Sequence, residues 1–237
     1  MPPETLGSRL RGNTYEVKRN TLTTYFDRTA SKTWEQLTSD APVSGIRATV
    51  RAGRNRMRDT LLSWLPEDMT GLRLLDAGCG TGALAVEAAR RGAAVVAIDV
   101  AGSLVEIARE RAPAGLAIDW RVGDMLDPAL GRFDHVVAMD SLIHYRAFDI
   151  VAVVQALAER TEASLLFTFA PSTKPLEVMH AIGTLFPRSN RAPAIEPVRE
   201  RLLRTLIASA MPGATLARSA RISGGFYTSH ALEVLPG

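Results

Sequence analysis

The run Asp76-Ala77-Gly78-Cys79-Gly80-Thr81-Gly82 follows an apolar stretch and opens a helix-like one. Glycines there let the backbone turn sharply and let a ligand approach where a Cβ would stand in the way. Amides exposed at a helix start favour an anionic group such as a carboxylate. Asp99 ends the next apolar run, where a carboxylate can accept hydrogen bonds from both hydroxyls of a ribose. Gly123-Asp124-Met125 follows the third run; the acid can bond an adenine amino group while the methionine packs on the ring. Asp140, His144 and Tyr145 follow the fourth, on the edge where ligands of open α/β sheets bind. Gly78-x-Gly80-x-x-Ala83 also satisfies a permissive pyridine-dinucleotide fingerprint. Asp76, placed to orient the loop and a ligand's amino group, and the Asp124-Met125 pair argue against that reading.

The elements that must position these residues show in the patterning. Short apolar runs at Leu72–Leu75, Ala94–Ile98, Leu116–Val122, Phe133–Met139 and Ser164–Ala170 alternate with helical stretches at Ala83–Arg90, Ser103–Arg111 and Phe148–Arg160. Parallel strands need a crossover, so this alternation predicts a doubly wound parallel sheet covered on both faces. Residues 1–70 read as an N-terminal helical cap or lid, with Ile46, Val50, Met57 and Leu61 facing inward. Arg47, Arg51, Arg54 and Arg58 follow the same period and read as a solvated face. The core domain then runs over residues 71–237 and includes a helical arm, 172–197, after the fifth strand. In that arm Pro175–Phe186 predicts a short helix with an apolar stripe through Met179, stopped by Pro187. A helix over Val198–Ala210 follows, then two strands, Ala214–Ile222 and Phe226–Leu235, joined around Gly224-Gly225 as a terminal hairpin.

Composition narrows the function classes. Of 237 residues 46% are hydrophobic and 22% charged, and a formal charge of +3 is too balanced to argue for nucleic acid without a local patch. Cys79 is the only cysteine, so an internal disulfide and a cysteine metal cluster are excluded, and a reducing cytoplasm fits. Within the loop Cys79 reads as a small residue tolerated beside glycines. The N-terminus lacks the apolar segment of a signal peptide. No stretch approaches the roughly 18 apolar residues that span a bilayer, which predicts a chain that touches a membrane at most peripherally.

Taken together, the glycine loop, Asp76, Asp99 and Gly123-Asp124-Met125 resemble the class I S-adenosylmethionine-dependent methyltransferases over roughly residues 71–170. That resemblance implies a seven-stranded sheet of order 3-2-1-4-5-7-6 with the seventh strand antiparallel, and S-adenosyl-L-methionine as methyl donor. A second set of strings is similar to the magnesium-protoporphyrin IX O-methyltransferases of chlorophyll and bacteriochlorophyll synthesis. These are Tyr25-Phe26-Asp27-Arg28-Thr29-Ala30 with Trp34, Asp59-Thr60, and Met139-Asp140-Ser141-Leu142-Ile143-His144-Tyr145. Phe186-Pro187-Arg188-Ser189-Asn190-Arg191 and Gly225-Phe226-Tyr227 complete the set. This family esterifies one propionate of the porphyrin, at ring C, so magnesium enters only as part of the substrate. Magnesium chelatase, through its large subunit, is the implied supplier, and the photosynthetic membrane the implied neighbourhood.

A propionic acid resembles a glutamate side chain, with a pKa of about 4.3, and is ionised at neutral pH. No strong base is needed, and alignment behind the methyl group becomes the main task. His144 is expected to bond the reacting carboxylate or to ligate the porphyrin's magnesium. Tyr25 is expected to orient the carboxylate or shield the sulfonium. Asp140 is a candidate for the cofactor's methionine end, and Tyr145 for the pocket wall. Lys174, Met179, Arg188 and Arg191 give the arm the apolar face and cations that a greasy dianion requires, with the arginines gripping the propionate left unmethylated. His135 reads as a packed core histidine. Two other functions fit the same residues: methylation of another small hydrophobic acid or phenol, and non-catalytic binding of the cofactor or tetrapyrrole.

Overall fold

The computed structural model describes residues 15–26, 45–172 and 194–237. Two helices, α1 (Tyr15–Tyr25) and α2 (Ile46–Ser63), precede the sheet. They are followed by β1 (Arg73–Ala77), α3 (Ala83–Arg90), β2 (Ala94–Asp99), α4 (Gly102–Arg111), β3 (Ile118–Val122) and β4 (Phe133–Ala138). The chain continues through α5 (Ala147–Ala158), β5 (Thr161–Phe169), α6 (Glu200–Ala210), β6 (Thr215–Gly224) and β7 (Tyr227–Leu235). The strands form one sheet of order β3-β2-β1-β4-β5-β7-β6. Pairings from β3 through β5 are parallel, and β7 runs antiparallel to both β5 and β6. The expected topology is therefore the one observed, including the terminal hairpin.

Because successive strand residues point to opposite faces, the sheet carries an apolar core on each side. Leu75, Val96, Val136 and Phe167 face one core with α5 and α6; Leu74, Val95, Val137 and Leu166 face the other with α2 and α3. The N-terminal helices join both cores, through Tyr15 and Leu22 on the first and Met57, Leu61 and Leu62 on the second. Among the described residues no helix is long and apolar enough to cross a membrane.

Three local readings change. Ile46 is not an inward residue but 56% exposed. The buried face of α2 runs instead through Gly53, Met57 and Leu61, because at Gly53 the helix presses on the Tyr227 ring so closely that an added Cβ would lie 2.4 Å from it. Strand β5 begins at Thr161, before the apolar run, since Phe133 of β4 pairs with Thr161. The arginine face of α2 is not wholly solvated, as shown below for Arg54. The predicted arm helix Pro175–Phe186, its loop, and Trp34 lie outside the described residues.

Candidate active site

The glycine loop crosses the carboxyl edge of the sheet between β1 and α3. Gly78 and Cys79 donate their amides to the Ile98 carbonyl at 2.8 and 3.0 Å, which folds the loop back on β2. Gly78 has φ +85° and a Cβ there would meet the Ser141 Cβ at 2.4 Å. Gly80 has φ +53°, but its missing side chain faces open space, as expected where a ligand comes against backbone. Gly82 does not reach the cavity; it packs on Trp120 and starts α3. Asp76 also stays behind the loop, 2% exposed, accepting the Ala85 amide at 3.1 Å. Burial, and then the charge of Asp99, push its carboxyl up to about 7. It therefore braces the loop rather than lining the cavity. Cys79 is buried, and that burial pushes its thiol up, away from thiolate chemistry.

Asp99 ties the loop to β2. One carboxylate oxygen accepts the Gly80 amide at 2.9 Å and the other the Ala101 amide at 2.9 Å. Met125 is buried and lines the cavity with Gly123, Ile98, Val100 and Leu104. Asp124 does not line it: its carboxylate accepts the Tyr15 hydroxyl at 2.7 Å and the Leu126 amide at 2.9 Å, and pairs with Arg19.

That clamp lays α1 across the cavity. Tyr15, Arg19, Leu22 and Phe26, spaced on one helical face, all line it. Tyr15 stacks on Tyr145 with centroids 5.4 Å apart. Eleven residues of helix are marginal alone in water, so these contacts hold α1 in place. Tyr25 points elsewhere: it is half-buried, edge-on to Phe26 and absent from the cavity wall, where Phe26 stands near the His144 ring.

At the far end Asp140 lines the cavity, in a left-handed conformation at φ +53°. Its carboxylate accepts hydroxyls from Thr168 at 3.2 Å, Tyr227 at 3.1 Å and Ser229 at 3.2 Å, and Arg54 lies 3.4 Å away. Arg54 thus belongs to the site, a role the period of α2 did not reveal. Beside it, the Ser141 hydroxyl is buried on the cavity wall with no hydrogen-bond partner among the described residues. An orphaned buried hydroxyl costs free energy unless a ligand meets it. His144 and Tyr145 also line the cavity. The His144 Nδ1 lies 3.2 Å from the Ala194 carbonyl. A carbonyl only accepts, so Nδ1 carries a proton in this contact. His135 is packed as expected, bonded to Ser164 at 2.8 Å. Lys174, Met179, Arg188 and Arg191 lie outside the described residues.

One cavity thus joins the Asp99 carboxylate, the apolar side chains around Met125 and the polar groups of Asp140 and Ser141 beside the glycine loop. A profile described as a methyltransferase domain matches residues 74–163. Sheet order, loop and matched residues define a class I S-adenosylmethionine-dependent methyltransferase. Magnesium-protoporphyrin O-methyltransferase of Rhodobacter capsulatus is 49% identical over 226 residues, covering 94% of this chain and 98% of that one. The chain belongs to the magnesium-protoporphyrin O-methyltransferase family. A profile described as magnesium-protoporphyrin IX methyltransferase C-terminus matches residues 138–236. The Synechocystis magnesium-protoporphyrin O-methyltransferase is 31% identical over 216 residues, 89% of this chain and 93% of that one. The crystal structure of magnesium protoporphyrin IX methyltransferase from Synechocystis PCC 6803 with bound SAH superposes with a TM-score of 0.82 at 28% identity, covering 93% of this chain and all of that one.

Proposed function

We infer that this chain transfers the methyl group of S-adenosyl-L-methionine to a propionate carboxylate of magnesium protoporphyrin IX, giving the monomethyl ester in (bacterio)chlorophyll synthesis. The observation that carries the reading is a cavity lined by Gly80, Asp99 and Met125 together with His144 and Tyr145. When bound, S-adenosylmethionine supplies an electrophilic methyl group and departs as S-adenosylhomocysteine. Asp99 holds the ribose and Met125 walls the adenine. The Gly80 loop, the Ser141 hydroxyl and the Asp140 carboxylate receive the amino-acid end, with Asp140 facing its ammonium. Asp76 and Asp124 act from behind, bracing the loop and anchoring α1, which keeps water out. Met179 and the apolar residues of its arm are assigned to the macrocycle's face on composition.

With the propionate already ionised, the residues at the acceptor end align rather than deprotonate. Such positioning can contribute roughly 7–11 kcal/mol in well-oriented intramolecular reactions. The Ala194 contact supports a role for His144 in which Nε2 accepts a hydrogen bond or ligates the porphyrin's magnesium, and donates to a carboxylate only as imidazolium. Tyr145, held by its stack on Tyr15, forms the adjoining wall. The deciding experiment measures S-adenosylhomocysteine release with magnesium protoporphyrin, metal-free protoporphyrin and a phenolic acceptor. Turnover with the magnesium porphyrin alone is expected. Preferential turnover of the phenol would make this a phenol methyltransferase, and binding of both ligands without release would make it a carrier.

A further inference from the structure

A second cavity lies against the first and shares His144 and Tyr145 with it. Helix α1 serves both: its Tyr15–Phe26 face lines the cofactor cavity, and Val17, Lys18 and Thr21 line the second. Arg146 and Asp149, at the start of α5, and Glu196 complete the wall. The return segment of the arm is pinned there, with the Glu196 amide donating to the Ile143 carbonyl at 2.9 Å. Among the described residues Lys18 and Arg146 are the cavity's cations. Lys18 stands 3.7 Å from Glu196, too far for a good hydrogen bond, and Arg146 faces Asp149 electrostatically. The lining is mixed and open, with charged side chains beside Val17 and Tyr145. Of the seven exposed large apolar side chains among the described residues, Val17 (57%), Phe148 (68%) and Ile195 (39%) line this cavity or adjoin its lining residues in sequence.

A flat apolar ligand with anionic edges matches this surface. We propose that the second cavity is the subsite for the carboxylate that is not methylated: Lys18 and Arg146 bind the porphyrin's other propionate, and Val17, Phe148 and Ile195 carry the macrocycle. This rests on the substrate reading above. The two propionates hang from neighbouring pyrrole rings on one edge of the macrocycle. When one meets the cofactor across the His144–Tyr145 wall, the other falls on that wall's far side. With two cations against two carboxylates among the described residues, an incoming propionate exchanges partners with Glu196 and Asp149. A neutral ester has nothing to exchange.

The test compares Arg146→Gln, Lys18→Gln and the double variant with the parent chain. Two acceptors are used: magnesium protoporphyrin, and an analogue whose non-reacting propionate is capped as a carboxamide. S-adenosylhomocysteine affinity by calorimetry reports an intact fold and cofactor cavity. With the diacid, each single variant is expected to raise the porphyrin KM about tenfold, the scale of one lost charge-assisted hydrogen bond, with the KM for S-adenosylmethionine unchanged. With the capped analogue, parent and variants are expected to match. An unchanged KM for the diacid, or an equal rise for both acceptors, overturns the proposal. So does finding the diacid preference lost in Arg188→Gln or Arg191→Gln instead. If the parent chain methylates neither porphyrin, the substrate reading itself fails, a result visible before any variant is compared.

Discussion

Asp76 offers the sharpest test of how the loop is built. Its carboxyl is buried, has one amide partner and lies near the Asp99 charge. Its pKa consequently rises from an ordinary 3.8 to about 7. The folded chain therefore holds this proton more tightly than the unfolded one. The stability linked to it is present in full below the unfolded value and is lost as pH rises toward about 7. At 1.36 kcal/mol per pH unit the whole window amounts to about 4 kcal/mol. Asn in place of Asp76 keeps the shape, leaves an oxygen for the Ala85 amide and does not titrate. Without ligand, urea unfolding of both proteins should show the variant gaining on the parent by about 3 kcal/mol between pH 5 and pH 8. That is a midpoint change of about 1.5 M for a slope near 2 kcal/mol/M. The gap should then stay constant at higher pH. A gap that is the same at pH 5 and pH 8 would refute the argument, because Asp76 would then be ionised at no cost.

Three further outcomes are expected. Asp99→Asn should raise the KM for S-adenosylmethionine at least tenfold with a smaller change in kcat, checked by initial-rate kinetics with the porphyrin saturating. His144→Gln should keep more than about 1% of kcat, since losing a true general base costs about 10²–10⁴-fold; a larger loss in single-turnover assays, with both ligands still bound, would show that the ring moves a proton. Gly78→Ala places a Cβ 2.4 Å from Ser141 at φ +85°, and should lower stability by about 2 kcal/mol or more and abolish S-adenosylhomocysteine binding in calorimetry.

The cofactor half of the site was legible because each of its residues sits at a fixed offset from a strand end. A glycine loop, an acid ending β2 and Gly123-Asp124-Met125 after β3 are local signals, and backbone geometry places them whatever surrounds them. The distinction between lining and bracing was not legible. Asp76 and Asp124 are acids at the expected offsets, yet both turn to neighbours, one to the Ala85 amide and the other to Tyr15 and Arg19. The N-terminal half of the site depends on which helical face meets the sheet. Helix α1 is too polar for its pattern to mark that face, so Tyr25 was singled out where Tyr15, Arg19, Leu22 and Phe26 do the lining. Arg54 was hidden for a related reason: its period matches three other arginines, and only the contact between Gly53 and Tyr227 rotates it toward Asp140.

The placement of β7 bears on synthesis. It slots between β5 and β6, and its Tyr227 and Ser229 hold the Asp140 carboxylate. A ribosome that has just delivered the glycine loop, β4 and even β5 has made most of the donor pocket, but Asp140 still lacks those two hydroxyls. Edge strand β6 likewise waits on a partner translated after it. A chain that has reached only β5 therefore holds the Asp140 carboxylate through the Thr168 hydroxyl, without those of Tyr227 and Ser229.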